Sequence, residues 1–404
     1  MINLEIPKKF RPLATQANQV ATEVFRPISR KYDEAEHEYP KELDMLASLI
    51  DGMNEGSEIA GSGAAGVRRE DNGNGNGENR NGSNLSTVLG VIELCWGDVG
   101  LLLSMPRQGR GNSAIASVAT EEQLEHYGGQ WAAMAITEPE AGSDSAAIRT
   151  TAELDGGEYV LNGEKIFVTS GDRADLIVVW ASLDRSKGRA AIKSFIVERD
   201  NPGLKLDRLE HKLGIRASDT ANFTLQDCRV PKEALLGSPE VDVKQGFAGA
   251  MQTFDNTRPL VAAMAVGVTR AALEETRSRL AEAGVEVDYS APALSQHAAA
   301  ARFLDMEADY EAARLQTLHA AWMADNGRPN SLQASMAKAK AGRTCVDVTL
   351  GCVELCGPLG YGENELLEKW SRDAKILDIF EGTQQIQLLI VARQLLGKSS
   401  AELR

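Results

Sequence analysis

Glu158-Tyr-Val-Leu-Asn-Gly-Glu-Lys-Ile-Phe-Val-Thr169 is the stretch on which the fold turns. Two runs of apolar and β-branched residues flank Asn162-Gly163. Asn-Gly in that setting is the strongest short signal of a β-hairpin, since its tight turn needs positive φ at both central residues. Further apolar or alternating runs follow at 176–183, 193–198, 203–209 and 221–230, with turn residues between them. Residues from about 150 to 231 are therefore expected to form an antiparallel sheet or barrel.

On either side the strand signals stop. Residues 1–130 carry helical signals, broken by GSGAAGVRREDNGNGNGENRNGSN at 61–84. The glycines and asparagines there offer almost no apolar surface to offset the entropy of ordering the chain, so a mobile surface loop is expected. A phosphate-cradling role for those glycines is set aside, because no strand precedes them and no Lys-Ser/Thr pair follows. After Pro231, stretches rich in Ala, Leu, Glu and Arg run to the end, with Val346, Leu350 and Val353, then Ile386, Leu389 and Ile390, at helical spacing. Gly357-Pro358 ends one helix, and a polar segment at 380–385 precedes the last. The expected domains are 1–130, helical; 131–240, sheet; and 241–404, helical.

A chain of 404 residues is too long for one core and suits two or three domains. Its 43% hydrophobic and 25% charged residues are ordinary for a globular protein. No apolar run reaches the ~20 residues of a bilayer span, so no membrane span is expected. A net charge of -15 argues against a nucleic-acid partner, and an anionic ligand would need a local basic pocket. The cysteines at 95, 228, 345, 352 and 356 form an odd, scattered set without a CxxC pair. Neither a disulfide framework nor a metal site is expected, and the cytoplasm is the expected compartment. Cys352 and Cys356 share a helix face and read as small core residues. The N-terminus has no apolar signal region and reads as the mature start.

Chemistry concentrates in a few segments. Met134-Ala-Ile-Thr-Glu-Pro-Glu-Ala-Gly-Ser-Asp144 crowds small and hydroxyl residues into a turn between the helical and sheet regions. Gly142 lets a ligand approach, and Thr137 and Ser143 can bond polar edges or phosphates, though ordinary turn chemistry accounts for the same residues. Phe167 and Thr169 share a strand face, so the ring can stack on a flat cofactor while the hydroxyl bonds its edge; a core Phe beside a strand Thr is the plainer account. Phe254-Asp-Asn-Thr-Arg-Pro259 sets an acid and a base in apolar helix sequence, where an internal ion pair and ligand recognition stand level. Asp378-Ile-Phe-Glu-Gly-Thr-Gln-Gln-Ile-Gln387 places Glu381 between an aromatic ring and a glycine. An apolar wall moves a carboxylate's pKa towards neutrality, as a base for carbon acids requires. An acid at a helix N-terminus, favoured by the macrodipole, is the alternative.

In this order and at these separations the segments resemble the acyl-CoA dehydrogenase family over about residues 100–397, its medium-chain and short-chain members most. Stretches at 213–219, 230–232 and 369–375 look like the family too. The resemblance implies an acyl-CoA dehydrogenase-like fold, with an N-terminal α-helical domain, a middle antiparallel β-barrel and a C-terminal four-helix bundle. It implies FAD between barrel and C-terminal helices, lined by Met134, Ile136, Thr137, Gly142, Ser143, Phe167, Val168 and Thr169, with Thr383 and Gln385 at the adenine-bearing half. It implies acyl-CoA on the other flavin face, near Ser143, Phe254, Asp255, Arg258 and Gly382. Glu381 would remove the α proton as the β hydrogen leaves as hydride to flavin N5, giving the trans-2-enoyl-CoA. The Glu381 N–H and a flavin ribityl hydroxyl would hold the enolate oxygen. A second branch of the family carries its base at the position of Thr257, which cannot serve. An electron-transfer flavoprotein is the implied electron acceptor.

Some positions depart from the family pattern. Where many relatives reach a neighbour's FAD pyrophosphate with an arginine, this chain reads Glu282-Ala-Gly-Val-Glu-Val-Asp288. The usual His-Gln pair is reversed as Gln296-His297, Glu354 and Pro358 replace a Gln and a Gly, and Phe167 replaces a common Trp. In a symmetric oligomer every chain both supplies and receives such contacts. These departures predict a hetero-oligomer with a second dehydrogenase-like subunit, against the alternative of a homotetramer. A non-catalytic supporting subunit and an acyl-CoA oxidase are the rival functions.

Overall fold

The strand Glu158–Thr169 (β3) lies between β2 (Thr151–Asp155) and β7 (Thr220–Pro231), antiparallel to both. The computed structural model describes residues 6–54, 82–107, 110–241, 248–399 and 402, with the side chains of 49–54, 110 and 248–256 left out. Around β3 the seven-stranded sheet runs β1-β4-β2-β3-β7-β6, with β5 on the other edge of β4. The remaining strands are Ala132–Ala135 (β1), Leu176–Ser182 (β4), Ile192–Glu198 (β5) and Leu204–Leu209 (β6). Every residue of β4 is buried, which suits its place inside the sheet. Antiparallel pairing dominates, but β1 lies parallel to β4, because β2 and β3 intervene in the chain and supply the crossover that a parallel pair needs.

The hairpin expected at Asn162-Gly163 is absent. β3 runs straight through that pair, and the turn from β2 falls at Gly156-Gly157, where Gly156 has φ 66° and Asp155 pairs with Glu158. Asn162 and Gly163 instead mark a bulge, with the register against β7 shifting between Leu161 and Gly163. The glycine is there for contact: a Cβ at Gly163 would stand 2.4 Å from the Thr150 hydroxyl. Asn162 turns its side-chain oxygen to the Asp227 N–H at 2.8 Å.

Helices occupy both ends of the chain. On the N-terminal side they include Arg11–Val20, Arg26–Glu34, Glu42–Asn54, Ser83–Gly97 and Glu121–Tyr127, the last opened by a reciprocal cap between Thr120 and Gln123. The loop expected at 61–84 lies outside the described residues up to 81, and its last two residues are already helical. The Asp325 carboxylate takes the N–H groups of Gly82, Asn84 and Leu85 at 2.7, 2.9 and 3.0 Å, an anion on the orphan donors of that helix start.

The C-terminal part packs the helices Ala248–Glu282, Ala298–Asp325 and Ser331–Cys356 with the shorter Leu367–Leu377 and Gln384–Leu396. Its core runs from Ala265 and Val266 through Phe303, Cys345 and Trp370 and takes in Ile92 from the N-terminal helices. A separate core fills the sheet around Leu161, Val178 and Phe195. Among the described residues all five cysteines are free thiols and no helix is long and apolar enough to cross a membrane.

Candidate functional site

The sheet contributes a turn laid against a strand. The Thr137 carbonyl accepts from the Ile166 N–H at 2.9 Å, which seats the 136–144 turn on β3. Beneath it Lys165 is buried, its ammonium 2.7 Å from Glu138 and 3.2 Å from the Ile136 carbonyl. Glu138 also takes the Arg149 N–H and both the N–H and hydroxyl of Thr150. Burial works against the Glu138 charge, but Lys165 and these donors outweigh it and hold its pKa below the usual carboxylate range. Burial also pushes the Lys165 ammonium down to about 8, against the pull of Glu138.

Met134 and Ile136 pack from above onto a small cluster of Ala141, Ile148, Trp180 and Ile192. Gly142 and Ser143 are exposed, and nothing lies within 4 Å of where a Gly142 Cβ would stand. A second register shift, between Lys165 and Val168, gives Phe167 a left-handed backbone with φ 59°, held by its N–H on the Asn222 side-chain oxygen at 3.1 Å. Val168 turns fully inward, Thr169 is half-buried, and the Phe167 ring is 59% exposed. A large ring turned outward on strained backbone, beside open glycine and hydroxyl groups, is a donor set and face suited to a flat polar cofactor. The arrangement fits FAD.

The helical half carries Glu381. Its backbone is left-handed, with φ 56°, and Gly382 follows at φ 90°. A Cβ at Gly382 would stand 2.3 Å from the Gln387 side-chain nitrogen, so glycine is required by both conformation and space. Gln387 donates to the Glu381 carbonyl at 3.1 Å and the Gly382 carbonyl at 3.3 Å, while Lys338 donates to the Gly382 carbonyl at 2.7 Å. The Thr257 hydroxyl donates to a Glu381 carboxylate oxygen at 2.8 Å. Thr383 caps the last helix by accepting the Ile386 N–H at 3.4 Å, and Gln385 is exposed in its first turn. Arg258 is buried with its guanidinium on Ser335 at 3.4 Å. Phe254 and Asp255 sit in the helix Ala248–Glu282, and their side chains lie outside the described residues.

A run of polar contacts links the two halves. At the end of β3 the Ser170 N–H meets the Asp219 carbonyl at 3.1 Å, the Asp172 N–H meets the Asp219 carboxylate at 3.0 Å, and Arg173 pairs with it at 3.2 Å. Four residues back, the Ile215 N–H donates to Asp373 on the helix Leu367–Leu377, where Lys369 bridges Asp373 and Asp98 at 2.6 and 2.7 Å. Burial opposes the Lys369 charge, yet the two carboxylates carry its pKa above the ordinary value. Gly214 permits the approach, since a Cβ there would meet the Arg372 backbone at 2.5 Å. Phe167 to Thr169 and Glu381 thus hang from one connected frame.

Next to Ser143, a hollow lined by Ala147, Arg149, Ser182, Arg185 and Gly188 brings two arginines together in an acidic chain. Arg149 is paired there with Glu140 at 2.6 Å, which leaves Arg185 as the further cation of the lining. Glu36, His37 and His211 also approach one another within ligand distance, but hydrogen bonds from His211 and the Lys212 N–H to Glu36 account for that approach.

Sequence reasoning missed Lys165, Lys338 and Gln387. Lys338 left a signal: it falls four residues after Ala334 and seven before Cys345, on the buried face of its helix. A lysine on such a face needs a polar partner inside.

The family model for the acyl-CoA dehydrogenase middle domain matches residues 133–228, and that for the acyl-CoA dehydrogenase C-terminal domain matches 244–396. The chain is 33% identical to the mitochondrial short-chain specific acyl-CoA dehydrogenase of Bos taurus, covering 98% of this chain and 92% of the relative. It is 32% identical to the acryloyl-CoA reductase (NADH) of Anaerotignum propionicum, covering 98% and 97%. The solved butyryl-CoA dehydrogenase from Megasphaera elsdenii superposes with a TM-score of 0.82 at 30% identity, over 98% of this chain and all (100%) of that one.

Proposed function

Because the chain belongs to the acyl-CoA dehydrogenase family, as an FAD-dependent oxidoreductase that dehydrogenates an acyl-CoA thioester, we propose that Glu381 is the general base that takes the α proton. The observation that carries the reading is the 2.8 Å contact between Thr257 and the Glu381 carboxylate. The two positions from which relatives supply the base converge on one point, and only Glu381 can act there.

An α proton is acidic enough to remove only while the developing enolate is stabilised, so base and donor must be aimed together. Glu381 offers both a carboxylate and, through its own N–H, a donor for the thioester oxygen. Met134, Ile136, Thr137, Gly142, Ser143, the outward Phe167 ring, Thr169 and the backbone at the inward-turned Val168 hold FAD, with Thr383 and Gln385 at its adenine half. FAD when bound supplies the hydride acceptor for the β hydrogen, so the product is the trans-2-enoyl-CoA. Ser143, Phe254, Asp255, Arg258 and Gly382 are the substrate contacts, and the hollow at Arg149 and Arg185 takes CoA phosphates. Likeness to short-chain and butyryl-CoA dehydrogenases supports a short acyl chain, and the relative named acryloyl-CoA reductase supports a second reading in which the reaction runs towards reduction. Likeness at 33% identity to a solved structure from work on the electron transferring flavoprotein of Acidaminococcus fermentans supports such a flavoprotein as the redox partner.

The division at 1–130, 131–240 and 241–404 belongs to the same proposal, supported by the family-model matches at 133–228 and 244–396. So does the cytoplasm, supported by five free thiols. A hetero-oligomer with a second dehydrogenase-like chain is supported by the lack of an arginine at 282–288. Glu282 pairs with Arg279 and Glu354 with Arg302 inside this chain, so repulsion between these acids across an interface adds no support. A homotetramer with full flavin made from this chain alone would exclude the mixed assembly.

Anaerobic mixing of the flavin-loaded protein with butyryl-, hexanoyl- and octanoyl-CoA tests the reading. Butyryl-CoA should bleach the flavin fastest, and a flavin that no saturated thioester bleaches would overturn the assignment.

A further inference from the structure

In the Glu381–Gly382 turn the glycine suits its left-handed backbone, but Glu381 does not. A residue with a side chain at φ 56° is sterically disfavoured and persists only where the surroundings over-determine it. Those surroundings are two buried polar side chains from two different helices. Lys338, from Ser331–Cys356, reaches the Gly382 carbonyl; Gln387, from Gln384–Leu396, reaches the carbonyls of both Glu381 and Gly382. Neither side chain is exposed at all.

We propose that Lys338 and Gln387 are positioning residues for the base: together they clamp the two carbonyls of the left-handed turn, and so aim the Glu381 carboxylate and N–H at the same carbon acid. The inference rests on the reading of Glu381 as that base. The helix that carries Lys338 also seats the rest of the loop. One turn further on, Gly342 lies against the Leu377 carbonyl, where a Cβ would stand at 2.8 Å, and Arg343 pairs with Asp378 at 3.2 Å. The loop from Asp378 to Gly382 is therefore laid along one face of that helix, with Lys338 at the end nearest the base. A buried lysine costs more to desolvate than an apolar residue of its size, and its return here is a charge-assisted bond to a carbonyl between Glu381 and Thr383. The bond to that carbonyl fixes the base relative to the helix Ser331–Cys356.

Lys338→Met, Lys338→Arg and Gln387→Met, each made in the full chain and loaded with flavin, test the clamp beside Glu381→Gln. The readouts are flavin content, KM for butyryl-CoA and the single-turnover rate of flavin reduction. A displacement of about 1 Å at reacting atoms costs up to ~10²-fold, so both Met variants should lose roughly 10- to 100-fold in rate. Their flavin content and KM should stay near wild type, and Lys338→Arg should regain most of the rate. Wild-type reduction rates in both Met variants would overturn the clamp, as would a rate loss that tracks flavin loss and that arginine does not restore. Should Lys338→Met not fold, Gln387→Met decides the matter without altering charge. Glu381→Gln at wild-type rate sinks the base itself; Glu381→Gln inactive with both Met variants active sinks the clamp alone.

Discussion

Lys165 and Lys338 are both sealed from solvent within the proposed site, yet they face different partners. Lys165 meets a carboxylate, Glu138, inside a sheet whose ladder already sets the backbone. Lys338 meets a carbonyl in a short loop whose backbone is left-handed at consecutive residues. In the sheet half the ion pair fixes how a turn lies on a strand, and removing one partner exposes the cost of an unpaired buried charge. In the helical half the lysine holds a strained turn, and its removal costs alignment more than stability. Stability and rate are therefore expected to separate between the halves.

Glu381→Gln should have the largest effect, a loss of at least ~10²-fold to 10⁴-fold in turnover at unchanged flavin content, as dye reduction and flavin absorbance would record. Glu138→Gln comes next and falls on the other half. With Lys165 left uncompensated, unfolding by urea should show a loss of about 3–5 kcal/mol. Its pH signature has a definite sign. The Glu138 pKa in the fold lies below the 4.5 of the unfolded chain, so its contribution is full above 4.5 and is lost as pH falls through the lower folded value. Wild-type stability should drop more steeply with acid in that window than that of Glu138→Gln.

Gly382→Ala should cost about 10-fold or more in turnover, because the new Cβ meets Gln387 and φ 90° is unfavourable to alanine. Near-normal turnover would mean that the turn tolerates what the clamp account forbids. Arg185→Gln, in the hollow beside Ser143, should be the mildest, raising KM for acyl-CoA by a few-fold, about 1 kcal/mol, with little change in turnover. A KM equally unchanged for the CoA thioester and for a pantetheine thioester lacking the nucleotide would remove the hollow from the substrate site.

The sheet and helical regions were legible in the residues, but the partners of the two lysines that distinguish them were not. The strands of the middle region announced themselves by alternation, and Glu381 stood out as the candidate base by its place between Phe380 and Gly382. Asn162-Gly163 misled because the hairpin rule is local, whereas Gly163 answers to Thr150, a neighbour across the sheet. The parallel pairing of β1 with β4 is likewise set by partners more than forty residues apart. Lys338 falls on the buried face of an alanine-rich helix, a sign that it needs a polar partner, but only the fold shows that the partner is the Gly382 carbonyl. Gln387 reads as one more polar residue in a helix start, and only the fold turns it back onto the preceding loop.

The central claim, that Glu381 takes the α proton, is tested most directly apart from electron transfer. A 3-thia acyl-CoA has sulfur in place of the β carbon and cannot give up a β hydrogen, so exchange of its α hydrogens with deuterium from solvent reports the base alone. Flavin-loaded wild type should exchange them, and Glu381→Gln with the same flavin content should slow that exchange at least ~10²-fold. Exchange at the wild-type rate in Glu381→Gln would contradict the account.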